Sequence, residues 1–446
     1  MRLFVIAVLG LVSCRERSPS SSFDASSLPP KVVHVLVTGP AEGWFVREGS
    51  RLVEQWRTEE SWPNALVLMT GISPSLDVLP ALFDGAPTAA MMTAANVAAF
   101  TAGPRDVDFG TDSLVTLRNS SGAMLLLTNV RPAAEAPPLL APPTFAMFER
   151  SGVRIGVLGV STLTRADGPF DAVPLEGALQ TTVETAKSQG AQLLVAMVNG
   201  CSTAVRPMLE AHRDWPIDLV VASPCEGTSD GRIGTTTLLH VKNGQYASLR
   251  AEFGSVRSLA AKVVDVATTG AEEPGAAKVR DAWVKRLDDE RAKTVAVLSK
   301  APEPEEAALL VATALKVTAK ADAGLFLTKR LKAALPKGAL TRGAVLDALP
   351  SFERVFLVDV PGEVLTKLVS HPDAFLSLPA KIDPNGAYVL ATTEELYRTG
   401  VGMEAVDANP VDSDLLLPTA VIRWLEAQGS SEQKPLEVPK PPKRRK

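Results

Sequence analysis

A Gly-bounded octapeptide most narrows what this chain can become. Gly103-Pro104-Arg105-Asp106-Val107-Asp108-Phe109-Gly110 follows the small-residue run Ala94 to Ala102, read as helical, and precedes the apolar strand Met124 to Val130. Similar apolar runs recur at Val32–Val37, Ala65–Met69, Val153–Val160, Gln192–Val198 and Asp218–Val221, most ending at Gly, Pro or a small polar residue. Helical stretches alternate with them, as near Arg47 to Arg57. That alternation specifies an α/β fold, and ligands in such sheets gather at the loops following the strands.

Composition sets the outer limits. The chain has 446 residues, 46% of them hydrophobic and 22% charged, enough for two or three domains with cores of their own. A formal net charge of -4 provides no basic field, which argues against a nucleic-acid partner. Met1-Arg2, the apolar run Leu3 to Val12 and Leu11-Val12-Ser13-Cys14 read as an export signal too short to span a bilayer as a mature helix. Its ending resembles a bacterial lipobox. That resemblance implies lipidation at Cys14 and anchoring in the cell envelope, with Arg15 pointing to the outer membrane; an ordinary signal peptide with a chance Cys is the alternative. Residues 15–30 are Ser- and Pro-rich and read as a tether.

The octapeptide resembles the Gly-Asn-His-Glu-Phe-Asp-Phe-Gly loop of the metal-dependent 5'-nucleotidases and UDP-sugar hydrolases. Other landmarks follow in order. Thr38 to Gly43 parallels that family's Thr-Asn-Asp-x-His-Gly, Thr70-Gly71-Ile72 its Gly-Asp, Asn199-Gly200-Cys201 its His-Leu-Gly, and Ala222 to Glu226 its Gly-Gly-His-Ser-His. The resemblance implies a four-layer α/β/β/α metallophosphatase-like sandwich over 31–255, a linker helix region over 256–300, and a smaller α/β domain of the 5'-nucleotidase C-terminal type over 301–428. A basic Pro/Lys tail, 429–446, is expected to be disordered and either to touch anionic lipid or wall polymer or merely to solubilise.

That family binds two divalent cations, and here the ligand positions read Pro40, Glu42, Ile72, Pro104, Arg105, Asn199, Pro224 and Glu226. Hard cations need anionic oxygen or imidazole. No metal cofactor is therefore expected, and no catalytic residue is assigned. Asp108 reads as a scaffold residue retained from the loop, with Asp106 and Glu42 as loop-surface charges. His34, His212, His240 and His371 fall outside the motif positions and read as structural or surface residues. Cys201 and Cys225 occupy two of the altered loops, and the resemblance brings those loops together. A disulfide substituting for the metal cross-link, or two unpaired thiols, would each be compatible with the sequence.

In the C-terminal part, Ala321 to Lys332 parallels the family's Asn-Ser-Gly-Gly-Ile-Arg turn, with Lys329 and Arg330 at its glycines and Lys332 at its Arg. These three form either an anion-binding patch or a solvated turn. Ser351 stands where the family places a base-stacking Phe. Trp283, on the amphipathic stretch Ala276 to Lys293, is expected at the domain junction. The leading expectation is a lipid-anchored envelope protein without catalysis, acting by binding or as a scaffold, with an envelope protein as partner and its small-molecule ligand unspecified. The alternative is a residual phosphoesterase acting on nucleotides or other phosphate esters.

Overall fold

The computed structural model describes residues 30–441 except 60–61, 75–76, 135, 137–141, 165–167, 350–351, 370–373 and 401–402. Cys14, the tether, Ser351 and His371 lie outside the described residues.

Two six-stranded sheets stack face to face. One runs Arg257–Asp265, Gln245–Phe253, Lys31–Thr38, Leu66–Met69, Val97–Phe100, Met124–Leu125; the other Gly231–Ile233, Thr236–His240, Leu219–Ser223, Leu193–Cys201, Val153–Val160, Phe145–Arg150. The inner strands of each sheet are parallel; antiparallel strands close both edges of the second sheet and one edge of the first, whose other edge, Met124–Leu125, is parallel. Alternation along each strand builds the layers, because successive side chains point to opposite faces. Val33, Val35 and Val37 meet Ile155, Val157 and Val195 between the sheets. Leu36, Val67 and Met69 face outward onto Phe45, Leu52 and Trp56 of helix Glu42–Glu59. Leu158, Leu194 and Val198 face the other way, onto Leu179 and Val183 of helix Leu175–Ser188. The expected four-layer sandwich is what forms.

The second unit is a five-stranded sheet in the order Ala374–Ser377, Ala323–Leu327, Ala387–Thr393, Arg354–Pro361, Val411–Leu416. Helices Pro304–Thr318 and Leu417–Ala427 pack together over it, and a ribbon of Thr294–Leu298 with Gly338–Thr341 flanks it. Between the units, helix Pro274–Arg291 begins at Glu273, whose carboxylate accepts the Ala276 N–H at 2.6 Å. Its Val279, Trp283 and Leu287 pack onto the helices of the first unit. Trp283 sits 5.2 Å from the Phe83 ring, with the Arg286 guanidinium 4.2 Å above the indole.

Several elements depart from the sequence reading. The Ala-rich run does not stay helical: the helix stops at Ala94, Asn96 turns at φ 53°, and Val97–Phe100 is a buried strand. Met124–Val130 is not one strand, since Met124–Leu125 and Val130–Pro132 enter different sheets. Arg257–Asp265, expected to be helical, is a strand added to the first sheet. Leu415 and Leu416 end a strand, and the closing helix starts at Leu417. The tail is ordered as far as it is described. Leu436 donates to Val297 O at 2.7 Å and accepts from Ser299 N at 3.0 Å, with Val438 buried beside it.

Candidate functional site at the strand ends

The loops leaving the parallel strands are bonded to one another before any side chain is considered. Ala41 N–H donates to Gly71 O at 2.9 Å, Glu42 N–H to Ile72 O at 2.8 Å, and Thr101 N–H to Met69 O at 3.1 Å. Their centre is Asp106, in the short 3-10 turn Pro104–Val107. Its Oδ1 accepts the N–H groups of Ile72 at 2.5 Å and Ser73 at 2.9 Å; Oδ2 accepts Gly103 N–H at 2.7 Å and Asn199 Nδ2 at 3.2 Å. Asn199 Nδ2 also donates to Thr70 O at 2.9 Å, tying the second sheet into the knot. Gly71 and Gly103 make room for this amide: a Cβ on either would stand 2.4 Å and 1.9 Å from Asn199 atoms. With only 4% exposure, burial pushes the Asp106 pKa up to about 6, against the pull of its three backbone donors.

Asp106 is therefore not the loop-surface charge that the sequence suggests. It is the buried hub of the site, and the reading missed it because its donors are main-chain groups, which leave no trace in side-chain identity. Glu42 is also only half exposed. It sits at φ 40°, takes a hydrogen bond from Asn243, and has its pKa raised by burial.

The remaining sequence-predicted positions divide by chemistry. Ile72 is wholly buried beneath the site. Pro104, Arg105, Pro224 and Glu226 are exposed, and Arg105 lies 3.5 Å from Asp108. Pro40 accepts the Trp44 indole N–H at 2.9 Å through its carbonyl. Ile72, Pro104 and Pro224 bring no side-chain donor atom, and the Asp106 carboxylate is already engaged by four hydrogen-bond donors. This donor set does not fit a pair of divalent cations. Among the described residues no three His, Cys, Asp or Glu side chains are grouped to hold a metal.

Cys201 and Cys225 form a disulfide with Cα atoms 5.8 Å apart. Beside it His240 links two loops, its Nδ1 2.9 Å from Asp230 Oδ1 and its Nε2 2.8 Å from Ser202 Oγ. The spacing is that of a nucleophilic triad, yet Ser202 has no exposed surface and Asp230 is the open end. The chain of bonds thus fastens the strand end at Cys201 to the loop before Gly231, a structural role for His240. His212 stacks on Trp215 at 4.4 Å and lies 2.6 Å from Glu176, on the outer surface. In the second unit, Arg330 is held between Glu353 and Glu395 with 17% side-chain exposure, which fits neither an anion-binding patch nor a solvated turn at this residue. Two local carboxylates already neutralise it.

A cavity of about 970 Å³ lies between the two units, below the Asp108 loop. Asp84, Asp112 and Phe109 line it on one side, Arg354, Phe356 and Arg423 on the other. Arg354 is oriented by Glu394 at 3.2 Å and Asp412 at 3.3 Å, with its guanidinium 5.6 Å from the Phe356 ring. Such a cleft, charged on both walls with flat rings between, suits a polar small molecule.

No sequence-family model matches the chain, and no curated protein sequence does. Solved structures do. The 5'-nucleotidase precursor of Thermus thermophilus aligns at TM-score 0.58 and 13% identity, over 92% of this chain and 100% of that one. The NAD nucleotidase of Haemophilus influenzae aligns at 0.58 and 12%, over 92% and 98%. The 5'-nucleotidase of Candida albicans aligns at 0.52 and 10%, over 88% and 98%. At such identities the likeness speaks for the fold, and it extends through both units: this chain has the two-domain fold of the 5'-nucleotidases.

Proposed function

We propose that this chain is a non-hydrolytic protein of 5'-nucleotidase fold, exported and held in the bacterial cell envelope by a lipid on Cys14, acting by binding rather than by turnover. One observation supports the loss of chemistry above the others. Where two cations would need oxygen and imidazole ligands, Asp106 accepts four hydrogen bonds and Ile72 fills the space below. A carboxylate so engaged would have to abandon three backbone N–H groups to reach a metal, at about 1–3 kcal/mol for each group left unsatisfied. The interdomain cavity supports a binding role, since Arg354, Arg423 and the rings of Phe109 and Phe356 line a space large enough for a small molecule.

The test is a nucleotide and phosphate-ester hydrolysis assay on purified protein supplied with Mn, Mg, Zn or Fe, beside metal analysis of the protein as isolated. No phosphate release and no stoichiometric metal are expected. Chelator-sensitive turnover would replace this reading with residual phosphoesterase activity. Intact-mass measurement of membrane-extracted protein checks the anchor separately: an acylated Cys14 as first residue is expected, and an unmodified mature terminus would discard the lipid.

A further inference from the structure

From the edge of the first sheet we infer a self-association surface: strand Arg257–Asp265 pairs antiparallel with the same strand of a second copy, centred on Ala261. Its only strand partner among the described residues is Gln245–Phe253, matched to it over nine residue pairs without a bulge. Its other side is an edge with no proline, the kind of main-chain template that soluble proteins usually blunt. Gln55 covers the far end, bonding Asp265 O at 3.2 Å and Ala267 N at 3.1 Å.

The sequence of this strand is complementary to itself about its midpoint. With Ala261 opposite the second copy's Ala261, Arg257 faces Asp265, Ser258 faces Val264, Leu259 faces Val263 and Ala260 faces Lys262. Both ends gain an opposite-charge pair, and no like charges are opposed. Shifting the centre to Lys262 would set lysine against lysine, and shifting it to Ala260 would leave Arg257 opposite Val263. Cross-strand charge thus favours this register over the two-residue slips to either side. On the inner face Leu259, Ala261 and Val263 are only partly buried against the inter-sheet core. The second copy would extend that apolar row across the axis. Arg257 already contacts Asp218 at 2.7 Å and Asp265 takes a bond from Gln245 at 2.8 Å, but a guanidinium has donors and a carboxylate lone pairs to spare. The arrangement is isologous and closes after two copies.

The register makes a specific test available. Sedimentation velocity of the whole protein should show concentration-dependent dimers, and Ala261→Lys or Ala261→Glu alone should weaken them roughly tenfold or more by opposing like charges at the axis. Mixing the two variants should restore association, because only this register brings position 261 against itself. A parent protein that stays monomeric to near-millimolar concentration overturns the proposal, as does a mixture that fails to associate. Should either variant melt early, hydrogen exchange on the parent protein decides: those amides of 257–264 that point away from Gln245–Phe253 should be protected at high and not at low concentration, and protection of these amides independent of concentration overturns the pairing.

Discussion

Asp106 Oδ1 accepts the backbone N–H of Ser73 at 2.9 Å across 33 residues of sequence, and Asp106 Oδ2 reaches Asn199, 93 residues away. One carboxylate therefore ties together three of the loops at the strand ends.

Removing that carboxylate should be costly. Asp106→Ala strands three buried backbone N–H groups, and we expect a loss of about 3–5 kcal/mol, read as a lower urea midpoint at unchanged m. Asp106→Asn, which keeps one acceptor, should lose less.

The same residue predicts a pH dependence. Its folded pKa of about 6 lies above the ordinary carboxylate value, so the folded state holds the proton more tightly. Its stabilising contribution is complete below about pH 4 and fades as pH rises through about 6, by about 3 kcal/mol at most. Unfolding free energies of the parent minus those of Asp106→Asn, measured from pH 4 to 7, should fall with pH; a flat or rising difference would contradict the assignment.

Gly103→Ala should expel the Asn199 amide, because the new methyl carbon would occupy its Oδ1. A cost of about 2 kcal/mol is expected, reduced by more than half in the double variant with Asn199→Ala. Thermal melts of the four proteins complete that cycle.

Reducing the Cys201–Cys225 disulfide, which spans 24 residues, should cost about 3 kcal/mol through the freedom returned to the unfolded chain. Differential scanning calorimetry with and without reductant measures it, and a Cys201→Ser, Cys225→Ser protein should melt with the reduced form in both buffers.

Arg330→Ala should lose about 3 kcal/mol by leaving Glu353, whose side chain is 10% exposed, without its cation. Adding Glu353→Leu should recover much of it in chemical denaturation, since one of the two carboxylates that faced the guanidinium is then gone.

What was legible in the sequence was whatever has a side-chain signature. Val33, Val35 and Val37 alternate as one face of a strand must, and of the two outcomes open for Cys201 and Cys225, bonded or unpaired, the structure has the bond. Val97–Phe100 was hidden because Ala98 and Ala99 favour helices locally, while burial between neighbouring strands decides the outcome. Arg257–Asp265 was hidden because an edge strand carries charges on its open face and so looks like a helix surface. Asp106 was hidden most completely, since a loop aspartate is ordinarily solvated and its amide partners belong to Ile72, Ser73 and Gly103 whatever their side chains.

Leu436 lies along Leu298, so the chain's last described stretch occupies the outer rim of the Thr294–Leu298 ribbon. A strand already covered from within offers nothing to a neighbouring molecule. Proteolytic trimming ahead of Ser430 would uncover it, and a trimmed population would be expected to gum together through the second unit while the intact protein stays dispersed there.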